Sequence, residues 1–231
     1  MQNLLTNQHK VGGTRGRNRP IWSRITVVLT ALALLFSIPK PCFANAEPAP
    51  TVTIRVYNYV QAPPAILAAA EIEAGKILTS AGLHMLWMDC LSKQLTVELQ
   101  EFCQPNWTAD APSIRMLPGH NTAQFRDAEF GYAAIPLYAT VNYEHVARRA
   151  RRDNTSGELS VILGCVIAHE LGHLLLRQPG HSPTGIMQPQ WGEAQIRQAL
   201  TGRLRFTTEQ SKAIQERAVA LTALSQPLES R

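Results

Sequence analysis

Alternation and periodicity divide the chain beyond residue 50 into a short series of elements. Thr51 to Tyr57 alternates around β-branched residues and predicts a strand. Pro63-Pro64 then opens a helix, with Pro64 tolerated in its first turn. Ile66, Ala70, Ala74, Ile77 and Leu78 form the apolar face of that helix, and Gly82 is its expected C-cap. Leu83 to Met88 predicts a second strand, and a strand–helix–strand unit of this length is expected to pair its strands in parallel. From Asp89 to Asn106 the pattern gives only a loop or hairpin around Cys90 and Cys103. Ser113 to Leu117 predicts a third strand, and Gly131 to Tyr143 one or two more. Thr207-x-x-Gln210 matches a capping box, followed at helical spacing by Ile214, Ala218, Leu221 and Leu224.

The most apolar segment lies between these regions. Thr155-x-x-Glu158 is another capping-box pattern and places a helix start just before Leu159. Leu159, Val161, Ile162, Leu163, Val166, Ile167, Leu171, Leu174 and Leu175 then leave almost no polar face, which predicts a helix buried against a sheet. His169, Glu170 and His173 are the conspicuous polar residues in it. Burying a charged carboxylate and two imidazoles costs several kcal/mol unless something pairs with them, and a dication does so.

Charge and composition change the picture mainly at the N-terminus. Arg15, Arg17, Arg19 and Arg24 precede a fourteen-residue apolar run, Ile25 to Ile38, and Ala44-Asn45-Ala46 follows as an A-x-A site. This is the order of a secretory signal peptide over residues 1–46, and the run is short of the roughly 20 residues that span a bilayer, with an uncleaved anchor as the alternative. Six of the 22 Lys and Arg lie in that segment and none of the 17 Asp and Glu, so residues 47–231 carry 16 positive and 17 negative side chains. The basicity of the whole chain therefore belongs to the leader and gives no reason to expect nucleic acid as a partner. Export implies a secreted or periplasmic protein without stable membrane insertion after cleavage. In an oxidising compartment Cys90 and Cys103 can close a short loop, while Cys165 reads as a buried hydrophobe, with a thiolate ligand as the alternative. The Arg148–Arg152 run reads as a solvated helix end, with a processing site or an anionic-surface patch as alternatives.

Two histidines four apart on a helix share one face, so His169 and His173 can hold one metal ion, and Glu170 between them can act as a base toward water. A third ligand cannot follow on a continuing helix. At 1.5 Å per residue His181 would lie about 12 Å beyond His173. Pro179-Gly180 is expected to break the helix, with Gly180 in the left-handed conformation turning His181 back; otherwise Glu193 or another downstream acid is the next candidate. His84, His120 and His145 read as ordinary polar residues. Trp191 is expected in the core, with a specificity pocket as the alternative.

His169-Glu170-x-x-His173, His181-Ser182 and Met187 together resemble the matrixin type of the metzincin clan of zinc peptidases. That clan carries H-E-x-x-H-x-x-G-x-x-H and a methionine in a tight turn under the metal. Leu176 stands at the glycine position and Pro179 at the third histidine, so His181 arrives two residues late and the helix is expected to run further. The resemblance implies an α+β, zincin-like single domain over residues 47–231: a mixed twisted sheet, an active-site helix and a C-terminal helix. It also implies Zn2+ held by His169, His173 and His181, with Glu170 as general base. The substrate would be a peptide or protein lying extended along an edge strand within Gly131–Tyr143. The expected function is a secreted zinc endopeptidase. A secreted zinc-containing binding protein without proteolytic activity is the alternative, motivated by positions 176 and 179. A purely structural helix with fortuitous histidines is the third reading.

Overall fold

The computed structural model describes residues 49–104, 112–119, 130–151 and 156–225. Residues 1–46, expected to be a leader, lie outside them, as do His120, Arg152 and Thr155.

β1 (Thr51–Asn58), α1 (Pro64–Ser80) and β2 (His84–Asp89) form the expected unit, and the two strands pair in parallel with Thr51 opposite His84. Pro64 occupies the first turn of α1, where its missing N–H removes no helical bond. Leu67, Ala70, Ala74, Ile77 and Leu78 are buried on one face, and Ile66 only partly. Gly82 takes φ +88° just beyond the cap residue Ala81, the left-handed conformation that ends a helix at lowest cost in glycine.

The sheet has the order β2-β1-β3-β5-β4, with β3 at Ser113–Leu117, β4 at Gly131–Ala134 and β5 at Tyr138–Asn142. Every neighbouring pair is parallel except β4 with β5. Val52, Ile54, Val56, Ile114, Met116, Ala139 and Val141 share one buried cluster with the helices. On the other side of β1, Arg55 donates from Nε to Ser113 Oγ at 2.9 Å, and Tyr57 donates its hydroxyl to the Cys103 carbonyl at 2.9 Å. Both side chains are buried, so these bonds offset the cost of removing their polar ends from water.

The stretch after Asp89 differs from the expected loop or hairpin. It contains a short helix, α2 (Val97–Phe102), with Thr96 Oγ1 accepting from the Leu99 N–H. Cys90 and Cys103 form a disulfide that fastens α2 beside Tyr57. A six-residue helix has too few positions for periodicity to reveal it.

α3 (Tyr143–Arg151) carries the arginine run, with Arg148 exposed near Glu144 at 3.8 Å, as expected of a solvated helix end. α4 (Ser156–Leu176) starts at the position that the Thr155-x-x-Glu158 pattern predicts, and packs against α1, α3 and the sheet. By length and mean hydropathy (1.8) its Glu158–Leu176 stretch suits a membrane, yet 78% of the window is buried inside the fold. α5 (Glu193–Leu200) and α6 (Thr208–Ser225) follow among the described residues, and α6 buries Ile214, Ala218 and Leu221 as its spacing predicts.

Candidate metal centre

His169, Glu170 and His173 are 8%, 3% and 5% exposed, while His181 is exposed at the mouth of the same cavity. The helix does not run further as expected but ends at Leu176, and the residue that reverses the chain is Arg177, at φ +52°. Gly180 is not left-handed, contrary to expectation. The reversal comes before the proline, which therefore sits in the loop rather than terminating the helix. Thereafter the chain returns, and one ligating atom from each of His169, His173 and His181 lies within 4.8 Å of the others. Among the described residues this is the group of His, Cys, Asp and Glu that suits a metal ion.

Backbone partners set the tautomers of both buried histidines. His169 Nδ1 lies 2.7 Å from the Ile186 carbonyl and His173 Nδ1 lies 2.9 Å from the Gln178 carbonyl. A carbonyl only accepts, so each Nδ1 carries the proton and each Nε2 presents a lone pair. These two Nε2 atoms face one another at 3.2 Å. Such a contact is repulsive unless a cation lies between them. A shared proton is a poor candidate, because burial pushes the pKa of His169 down to about 3, outweighing the hydrogen bond to Ile186 that raises it, and the neighbouring imidazoles lower it further. His173 is also lowered, first by burial. Two nitrogens bound to a tetrahedral zinc at 2.0–2.1 Å lie about 3.3 Å apart, close to the separation seen here. The donor set therefore fits a divalent metal that accepts imidazole nitrogen.

Glu170 points to the same cavity, of about 250 Å³, which is also lined by Phe130, Gly131, Tyr132, Ala133 and Ile135. Its Oε1 lies so near Gly131 that a Cβ there would stand 2.6 Å from it, and 2.4 Å from the Thr140 carbonyl oxygen. Glycine thus makes room for the carboxylate against the start of β4. Met187 is buried with its sulfur against Gly172, where a Cβ would meet it at 2.6 Å. Trp191 packs its ring edge-to-face with His169 at 5.7 Å and also touches Phe130, so it buttresses a candidate ligand rather than standing free in a pocket.

The remaining candidates fall outside the group. Cys165 is 1% exposed, and burial raises its thiol pKa to about 12, so it is a buried neutral thiol as the preferred reading expected. Glu193 sits exposed on α5, 3.6 Å from Arg197. His84 is exposed on β2, and His145 packs on Phe130.

No family model matches the chain, and no curated protein does. Solved structures do. One is a zinc-dependent peptidase from Methanocorpusculum labreanum (strain Z), 15% identical, matched over 70% of this chain and 99% of that one with a TM-score of 0.48.

Sequence reasoning missed the inner supports of the histidines. The Ile186 and Gln178 carbonyls are backbone groups, and no side-chain pattern announces them.

Proposed function

We propose that the chain is an exported zinc endopeptidase of metzincin type, with His169, His173 and His181 as metal ligands, Glu170 as general base and Met187 in a Met-turn. The observation that carries this reading is the pair of imidazole lone pairs facing each other at 3.2 Å beside a buried carboxylate. Bound zinc supplies Lewis-acid polarisation of the scissile carbonyl and lowers the pKa of the attacking water toward about 7.

The protein's residues supply the rest. Phe130 O accepts from Asn142 N–H at 2.7 Å, which makes residues 130 and 142 a hydrogen-bonded pair of the antiparallel ladder. By alternation, Gly131 and Ala133 turn their N–H and C=O groups away from β5. Both residues line the cavity, and β4 ends the sheet among the described residues. An extended substrate adds to β4 as a further strand, placing its scissile bond beside Glu170. Glu170 accepts the proton of the attacking water and passes it to the leaving amine. The peptide itself, closing over the cavity, excludes bulk water from that transfer.

Glu170→Gln tests the assignment. The variant is expected to hold zinc like the wild type, because no ligand is removed. It should lose at least about 100-fold in cleavage of an unfolded-protein substrate, within the usual range for a general base. Equal cleavage by both proteins would remove Glu170 from the mechanism. Zinc binding without cleavage by the wild type would favour the metal-stabilised binding protein.

A further inference from the structure

The capping box at the start of α6 does more than begin a helix. Gln210 Oε1 accepts from the Thr207 N–H at 2.9 Å, while Thr207 Oγ1 accepts from the Gln210 N–H at 3.3 Å. A backbone N–H can meet only the oxygen of the amide, so the NH2 group is the one directed at Ser182 Oγ, 3.1 Å away. Ser182 has its single hydroxyl proton committed to the Thr184 carbonyl at 2.6 Å, and so needs a donor from Gln210. Its backbone N–H is bound to the Met187 carbonyl at 2.8 Å. A glutamate would cap α6 equally well at this position, but it has no proton to give. Only an amide of this length serves both partners.

Ser182 adjoins His181, the one exposed member of the histidine group, at the end of the loop that follows α4. A second link runs beside the first. Arg205 O accepts from the Ile186 N–H at 2.8 Å, and Ile186 O in turn receives His169 Nδ1–H. The segment Leu204–Gln210 thus underpins two of the three histidines from the C-terminal side.

We propose that Gln210 is a positioning residue for the metal: through Ser182 it holds His181 where it can ligate, and so couples metal affinity to the C-terminal helix. This rests on the metal-centre reading above. Supporting groups of this kind change metal affinity by about 10–100-fold when removed.

The test compares Gln210→Glu, Ser182→Ala, Ser182→Thr, the Ser182→Ala/Gln210→Glu double variant and His181→Ala. Zinc affinity is read by competition with a chelating dye, Co2+ absorption reports the ligand geometry, and the metal-free melting temperature is measured alongside. Gln210→Glu and Ser182→Ala are each expected to weaken zinc about 10-fold and to alter the Co2+ spectrum. The metal-free melt of Gln210→Glu should stay at the wild-type value, since the cap survives. Ser182→Thr keeps the hydroxyl and should keep the affinity, and the double variant should be no weaker than either single one. Wild-type affinity in Gln210→Glu, additive losses in the double variant, or a loss matched by a lower metal-free melt would each overturn the proposal. If His181→Ala binds zinc as well as the wild type, the three-histidine reading itself fails and the proposal with it.

Discussion

Zinc should stabilise this fold by an amount that can be worked out in advance, and removing one ligand should abolish most of it. Two imidazole lone pairs face each other at 3.2 Å in the folded chain, and an ion between them would bind the folded chain far better than the unfolded one. At free zinc about 1,000 times the dissociation constant, linkage gives about 4.1 kcal/mol of added stability. For a domain of this size each kcal/mol moves the melting temperature by about 2–4 °C, so the expected rise is about 8–16 °C. A His173→Ala variant whose affinity falls about 1,000-fold retains only RT ln 2 at the same free zinc, about 0.4 kcal/mol, or about 1–2 °C. The assay is thermal melting at fixed free zinc, with a chelator series as the metal-free reference. Wild-type melts that ignore both zinc and chelator would refute the metal centre. An equal shift in His173→Ala would show that zinc is held elsewhere on the chain.

Gly131→Ala places a methyl group where Glu170 Oε1 and the Thr140 carbonyl oxygen already stand. The carboxylate or the strand must move, so cleavage is expected to drop about 100-fold with zinc affinity unchanged, and full activity would mean that the carboxylate does not need its place against β4. Glu71, on α1, has its carboxyl pKa raised to about 7 by burial and then by the nearby Asp89 carboxylate. A carboxyl whose pKa is higher in the folded state binds extra protons there, so its contribution to stability falls as pH rises from about 4.5 to 7. The group is partly exposed, which reduces the effect to about 1 kcal/mol. Glu71→Gln should therefore match the wild type at pH 5 and be the more stable at pH 8 in metal-free melts, and the same difference at both pH values would contradict the assigned cause.

What the sequence disclosed followed from the range over which each signal acts. The β1-α1-β2 unit and α6 were legible because each has a full set of apolar positions at one period, and the burial of Ile77, Leu78, Ile214 and Ala218 repeats that set. α2 carries no such signal because six residues cannot establish a period, and its position depends on a disulfide and on the Arg55 and Tyr57 side chains from β1. Within the site, His169 and His173 were fixed relative to each other by helix geometry alone. His181 was a harder inference, because a turn lies between, and the turn is made differently from the expectation. The expectation gave the reversal to Gly180 because glycine adopts positive φ without steric cost. The fold instead puts Arg177 there, immediately after the last helical residue, where an exposed side chain can point to solvent. An arginine held at positive φ costs about 1–2 kcal/mol relative to ordinary backbone. It is held because the return of the chain is specified from the other side, by Ser182 bound to Met187 and Gln210 and by Ile186 bound to Arg205. The loop between the second and third histidines is thus determined less by its own residues than by the segment that receives it. This explains how His181, eight residues beyond His173 and past a turn, comes back beside His169 and His173.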